Sequence, residues 1–325
     1  MSPPDAGRPA VLCLRPESDF LRVGVRAPAS LAVAFREPGD GDAAELARSA
    51  RAFVLASIGP RIDELLAGAR ELELVQFTGA GLDRVDGDAL EARGVRVRGV
   101  GGANAVTVAQ YVVGAAIALL RRFPEADAEV RAGRWAEERR HLVGGLLRDL
   151  GGLAVGIVGL GHIGLAVAAA FRGLDPSCSL AYFDPQPRDA AAADALGARP
   201  LALDALLRKS DVVTLHVPLL PATRGLIGAR ELRLLRPDAV LVQASRGGVV
   251  DEAALAEALA AGRLAGAAVD VWEEEPPRSS PLLALEGTAA RRLLLTPHVG
   301  GVSRQSERRQ FLAAWEGVEA ALVTT

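Results

Sequence analysis

The stretch GIVGLGHIG, residues 156 to 164, constrains this chain more than any other. Gly159, Gly161 and Gly164 stand in the spacing G-x-G-x-x-G. The apolar run LAVGIV ahead of them reads as a buried strand, and IGLAVAAAF behind them as a helix. Spacing alone is weak, because glycines fall into it by chance. The context makes it specific: the next strand, SLAYF, is closed by an acid, Asp184, 20 residues beyond Gly164. That is the arrangement of a dinucleotide cradle. Gly159 permits the tight turn, Gly161 lets a pyrophosphate approach the backbone, and Gly164 lets helix and strand pack closely. The helix N-terminus then offers amides and a favourable dipole to phosphates. Asp184 can accept hydrogen bonds from a ribose 2′-hydroxyl and repels a 2′-phosphate. NAD is therefore expected over NADP, with Arg188 near enough to weaken the preference.

The rest of the chain repeats the same rhythm. After the glycines, the runs DVVTLHV, DAVLVQ, AGAAVDV and RLLLTP alternate with the helical patterns LDALLRKS, ARELRLL and DEAALAEALAAG. The last of these starts with acids and stops at Gly262, as a capped helix does. Strands that are apolar on both faces and separated by helices imply a parallel sheet covered on both sides. The first hundred residues show a weaker version, with candidate strands AVLCL, LAVAF, AFVLA, LELVQF and VRVRGV and helices AAELARSA and RIDELLAGA. Two α/β units in series follow from this. ANAVTVAQYVVGAAIALLRRF reads as one long apolar helix between them, and RQSERRQFLAAWEGVEAALV as a closing amphipathic helix that returns to the first unit.

Composition excludes several classes. The chain has 325 residues, half of them apolar and 24% charged, with a formal net charge of -3. That describes a globular protein without the basic surface of a nucleic-acid binder. Cys13 and Cys178 match no metal-ligand spacing and read as two reduced thiols; no metal is expected. The start, Met-Ser-Pro-Pro-Asp, lacks the pattern of a signal peptide. The run YVVGAAIALL is too short to span a bilayer, which takes ~20 residues. A cytoplasmic protein with no membrane partner is expected.

A nucleotide alone does not define chemistry. Three later segments narrow it. QASRGGVVDEAAL puts Arg246 just past a strand end, AAVDVWEEEP puts Asp270 and Glu275 past the next, and LLLTPHVGG puts His298 past the last. Open α/β sheets bind ligands at that edge. Each residue also has a plain alternative: Arg246 as a helix cap or partner of Asp251, Glu275 as part of an exposed acidic turn, His298 as a loop histidine. Four loops converging on one edge make the shared site the stronger reading. A planar guanidinium can hold a carboxylate and polarise a neighbouring ketone. An imidazolium can protonate a developing alkoxide, and a carboxylate beside it orients the ring and favours its charged form.

With these segments in view, the chain resembles the NAD-dependent D-isomer-specific 2-hydroxyacid dehydrogenase family. The resemblance runs from about LELVQFTGAGLDRVD to TPHVGGVSRQS, and its most specific parts are GIVGLGHIG, DVVTLHVPLLPATRGLI, ASRGGVVDEAAL, DVWEEEP and TPHVGG. It implies a fold of two doubly wound parallel-sheet domains. A Rossmann-type NAD-binding domain, residues 104–302, would be inserted in a smaller flavodoxin-like substrate domain, residues 1–103 and 303–325. It implies catalytic roles for Arg246, Glu275 and His298, and a nicotinamide contact for Asp270. Residues matching further cofactor contacts are His162, Ile163, Val217, Ala244, Ser245 and Gly300. Backbone amides of Gly79, Ala80 and Gly81 would meet the carboxylate of a small 2-hydroxy or 2-oxo acid. Closure of the two domains would exclude water, and relatives usually form homodimers through the nucleotide domain. RWAEERRHLVGGLLRDL is a candidate dimer arm or a solvated face.

The departures from the family pattern bear on substrate. Gln110 replaces a frequent Glu and Gln243 a frequent Asn. Ala80 is not the Lys of phosphite dehydrogenases, and Glu275 is not the Gln of formate dehydrogenases. Phe77 stands where many phosphoglycerate dehydrogenases carry Arg, which argues against a phosphorylated substrate. The chain ends soon after the closing helix, so the C-terminal regulatory domains of some phosphoglycerate dehydrogenases are not expected. The alternative function is a non-enzymatic NAD-sensing module, similar to the dehydrogenase-like transcriptional corepressors.

Overall fold

The computed structural model describes residues 10–145 and 147–323. The N-terminal stretch read for a leader, Leu146 of the candidate arm and the last two residues lie outside them. The chain divides into two compact units. One holds the described residues up to Asn104 together with those from Val302 onward; the other holds Ala105–Gly301.

The first unit opens with β1 (Ala10–Cys13), α1 (Glu17–Arg22), β2 (Ala32–Phe35), α2 (Ala43–Ala47), β3 (Ala52–Leu55) and α3 (Asp63–Gly68). It continues with β4 (Leu74–Phe77), α4 (Gly87–Glu91) and β5 (Arg96–Arg98). Its sheet runs β2-β1-β3-β4-β5, all parallel. This is the flavodoxin-like order, reversing direction between β1 and β3. β3 and β4 are buried at every position, as strands covered on both faces must be. Phe77 is fully buried in the core beside Phe53 and Leu55. It is therefore a packing residue in this chain.

The second unit begins with α5 (Ala105–Leu120), α6 (Phe123–Arg131) and α7 (Trp135–Val143). The expected single helix breaks at Arg122, whose φ of 52° is left-handed, and restarts at Phe123 with Pro124 in its first turn. A proline is well placed there because its missing N–H has no helical partner to lose. The unit then alternates β6 (Ala154–Val158), α8 (His162–Leu174), β7 (Ser179–Phe183), α9 (Ala190–Ala195), β8 (Ala198–Pro200) and α10 (Leu203–Lys209). It closes with β9 (Val212–Leu215), α11 (Ala229–Leu232), β10 (Val240–Gln243), α12 (Glu252–Ala260), β11 (Gly266–Val269), α13 (Gly287–Arg291) and β12 (Leu293–Leu295). The sheet order is β12-β11-β10-β9-β6-β7-β8, again all parallel. Neighbours β6 and β9, in register Val155↔Val212 to Val158↔Leu215, mark where the winding reverses. That is the Rossmann-type switch point, where ligands bind beyond the strand ends. α5 packs on α8 and against β10 and β11, which explains why its residues are so largely apolar.

The last element, α14 (Arg304–Leu322), belongs to the first unit. Ser303 caps it by accepting from Ser306 N at 3.0 Å. Its Phe311 and Trp315 pack on Phe20 with tilted rings, their centroids 4.4 and 5.4 Å away. Among the described residues, no single helix is long and apolar enough to cross a membrane. Both cysteines are buried and unbridged. Burial pushes the Cys13 thiol up to about 12, so it is an inert packing group.

Candidate active site

The three glycines of the 156–164 stretch do different work. Gly159 has φ +94°, and a Cβ there would meet the His216 carbonyl carbon and oxygen at 2.7 Å, so only glycine fits. Gly164 lies so close to the Gly159 carbonyl oxygen that a Cβ would overlap it. Gly161 is the opposite case: a Cβ there would meet nothing within 4 Å, so the turn opens onto free space. α8 begins at the next residue, His162, and no side chain caps it. The amides of its first turn, including those of His162 and Ile163, are therefore left for an outside acceptor.

Asp184 ends β7 beside this turn. Its carboxylate accepts from Leu160 N at 2.6 Å and from Gln186 N at 2.8 Å. Arg188 joins the same turn through its amide, which donates to the Leu160 carbonyl at 3.2 Å. Burial, and then the charge of Arg188, lower the pKa of His162. His216, at the end of β9, is held neutral by burial, with a pKa of about 3. Its Nε2 is 2.8 Å from Thr214 Oγ1, while its buried Nδ1 has no hydrogen-bond partner. Val217, the next residue, packs on the hydrophobic cluster that contains Val158 and Leu215.

Beyond β10, β11 and β12 lie the three chemical segments. Glu275 places both carboxylate oxygens on His298 Nδ1, at 2.9 and 3.0 Å. The side chains are 28% and 24% exposed, so the pair faces solvent at one side only. Burial raises the Glu275 pKa, but the hydrogen bond and charge of His298, the Trp272 amide and the charge of Arg246 outweigh it. The carboxyl therefore stays ionised below its ordinary range. Arg246 thus stands close enough to act on Glu275, and its Nη1 donates to the Ser245 carbonyl at 2.7 Å.

His298 has φ 55°, a left-handed conformation that costs of order 1–3 kcal/mol outside glycine. Asp270 holds it there. The Asp270 carbonyl accepts from His298 N at 2.8 Å, and its carboxylate from Val299 N at 2.8 Å and Gly300 N at 2.7 Å. The hydroxyl of Thr296 donates to the same carboxylate at 2.6 Å, so Tyr111 must donate to Thr296, 2.7 Å away. Asp270 is 2% exposed. Its visible work is to clamp the histidine turn, a role the sequence motif did not announce. Thr296 and Tyr111 were also missed, because their contacts span 26 and 185 residues of chain.

Gln243 plays the matching part for the arginine. Its amide nitrogen donates to the Arg246 carbonyl at 2.8 Å, and its oxygen accepts from the Ser245 hydroxyl at 2.8 Å. Ala244 packs on the core beneath. Gly79, Ala80 and Gly81 fall in the other unit, in the turn after β4, where Gly79 presses against the Ser57 hydroxyl. Among the described residues no cluster of His, Cys, Asp and Glu suits a metal ion.

Comparison with known proteins gives the chain's relatives. Residues 113–300 match the family model described as D-isomer specific 2-hydroxyacid dehydrogenase, NAD binding domain. The chain is 37% identical over 247 residues to a D-3-phosphoglycerate dehydrogenase of Archaeoglobus fulgidus, covering 75% of this chain and 44% of that one. It is 36% identical over 245 residues to a glyoxylate reductase of Thermococcus litoralis, covering 75% and 72%. Among solved structures, an NADPH-dependent glyoxylate/hydroxypyruvate reductase from Sinorhizobium meliloti, in complex with NADP and malonate, aligns with a TM-score of 0.79 at 27% identity over 98% of this chain and 95% of that one. The chain thus spans less than half the length of the phosphoglycerate dehydrogenases it matches.

Proposed function

The chain belongs to the D-isomer specific 2-hydroxyacid dehydrogenase family, and from that premise we propose that it transfers a hydride between NAD(H) and a small 2-hydroxy or 2-oxo acid. The carrying observation is the bidentate contact of Glu275 with His298 Nδ1, in the field of Arg246. A ring held at Nδ1 presents Nε2 for proton transfer. The cofactor fits the glycine turn, because Gly161 leaves space and α8 offers uncapped amides. When bound, NAD(H) supplies or takes the hydride.

The chain's own residues do the rest. Arg246 binds the substrate carboxylate and polarises the adjacent ketone. As the carbonyl carbon gains hydride, its oxygen gains a proton from the His298 imidazolium. In oxidation neutral His298 takes that proton back. Glu275 orients the ring and stabilises its charged form, so one carboxylate serves both directions. Asp270 fixes the backbone turn that aims the imidazole. The resemblance supports backbone amides of Gly79, Ala80 and Gly81 as further substrate contacts, and Val217, Ala244, Ser245 and Gly300 as cofactor contacts. It also supports a homodimer, and the absence of a signal-peptide pattern at the start supports a cytoplasmic location. Asp184 favours NAD, but Arg188 at the same turn weakens discrimination against NADP.

The test is NADH oxidation by the purified protein across a panel of 2-oxo acids, including glyoxylate, hydroxypyruvate, a phosphorylated acid and branched acids. Turnover with one of them, reduced about 10²–10⁴-fold in His298→Ala, is the expected result. NADH binding without turnover on any acid overturns the reading in favour of a sensing module. Faster turnover with NADPH overturns the role of Asp184.

A further inference from the structure

The segment Val271–Ser280 carries Glu275 but contains no helix or strand to hold it rigid. Its fixed points come from elsewhere. Glu252, the first residue of α12, is buried, and its carboxylate reaches this segment twice. Oε1 accepts from Glu273 N at 2.7 Å, and Oε2 accepts from the Ser280 hydroxyl. One carboxylate therefore ties a point two residues before Glu275 to a point five residues after it. Just before the first tie, Trp272 N donates to Glu275 Oε1 at 3.2 Å, and the Trp272 indole donates to the Thr296 carbonyl at 3.2 Å. Gly247, the residue after Arg246, lies so close to the Trp272 carbonyl that a Cβ would overlap it. Any shift of the 271–280 segment is thus felt at the arginine turn as well. A narrow cavity is lined by Gln243, Gly247, Glu252 and Leu282.

We propose that Glu252 is a positioning residue of the reaction described above, holding Glu275 on His298 through the Glu273 amide and the Ser280 hydroxyl. The inference rests on that functional reading, although its physical content does not. Burying a carboxylate at this point is costly unless donors meet it, and the two donors that do so come from the segment itself. A helix-terminal acid serving only the dipole has no need of them. Glutamine matches the geometry: its oxygen accepts from Glu273 N, and its amide donates to the Ser280 oxygen. Alanine cuts both ties.

The experiment compares wild type, Glu252→Ala and Glu252→Gln by carboxyl carbon NMR of Glu275, with no substrate present. The charged and titrating groups facing Glu275 are His298 and Arg246. In wild type the Glu275 midpoint lies below the ordinary glutamate value. In Glu252→Ala it moves up toward that value as the His298 contact is lost, and in Glu252→Gln it stays low. With the preferred 2-oxo acid, Glu252→Ala loses on the order of tenfold to a hundredfold in kcat while the KM for NADH holds. Retained NADH binding shows that the variant is folded. An unmoved midpoint in folded Glu252→Ala overturns the inference, as does a midpoint in Glu252→Gln that rises as far as in the alanine variant. Absence of turnover in wild type sinks the functional reading alone, because the titration needs no substrate.

Discussion

The two sheets are wound on one principle, yet the loops beyond their C-terminal edges are held in opposite ways. In the second unit buried acceptors gather backbone donors. Asp270 takes the amides of Val299 and Gly300, and Glu252 that of Glu273. In the first unit a buried donor gathers backbone acceptors. Arg84, 5% exposed, gives Nη1 to the Ala56 carbonyl at 2.8 Å and both Nε and Nη2 to that of Pro60, at 2.9 and 2.7 Å. Burial, and then the charge of Arg15, lower its pKa. Amides drawn inward fix the turns that carry Glu275 and His298, whose side chains must be aligned. Carbonyls drawn inward by Arg84 fix the loop of Ala56 to Pro60, which lies beside Gly79 through Ser57. The difference teaches that turns whose side chains must be aligned are clamped residue by residue, whereas the loop of Ala56 to Pro60 is held by one central tie.

The comparison breaks most visibly at Arg84. Arg84→Met leaves the carbonyls of Ala56 and Pro60 without this donor, and should cost about 2–4 kcal/mol. Urea unfolding read from Trp315 fluorescence checks it, and a loss under 1 kcal/mol would mean that the loops hold without the arginine. A smaller effect sharpens the second unit's side. Gly161→Ala puts its methyl into open space, so the melting temperature should hold while NADH affinity falls about tenfold, or about 1.4 kcal/mol. Titration of tryptophan quenching by NADH reads this; equal affinity in the variant would deny that the turn receives the phosphates.

The smallest effect concerns pH. The folded Glu275 carboxyl titrates below its ordinary 4.5. Its stabilising contribution is therefore complete above that value and lost as pH falls through the folded one. The group is partly exposed, so less than about 1 kcal/mol is expected. Melting temperatures of wild type and Glu275→Gln should differ near neutrality and converge in acid. A gap that persists unchanged at low pH would assign the stability to packing.

What the sequence made legible follows from range. The glycine turn, the alternating elements and the strand-end positions of Arg246, Glu275 and His298 all rest on local pattern, where a few residues carry the signal. The break at Arg122 was not legible, because a left-handed arginine inside an apolar run has no propensity signature. β8 was missed because it is three residues long with an arginine and a proline in it, as an edge strand can be. The Asp270 clamp and the Glu252 ties join residues 21 to 30 positions apart, and only the folded chain brings them together. Burial of Phe77 was legible, because it lies in the apolar run LELVQF that forms β4.

The first unit is made of two stretches of chain, with the whole second unit between them. Its aromatic cluster needs Phe311 and Trp315 from α14 to cover Phe20. A chain emerging from the ribosome therefore produces β1 to β5 first but cannot finish that core until α14 appears. The inserted unit, complete once Gly301 has left the exit tunnel, is free to fold before then. The half synthesised earliest is the half completed last, and through that interval one face of its sheet must wait only partly covered.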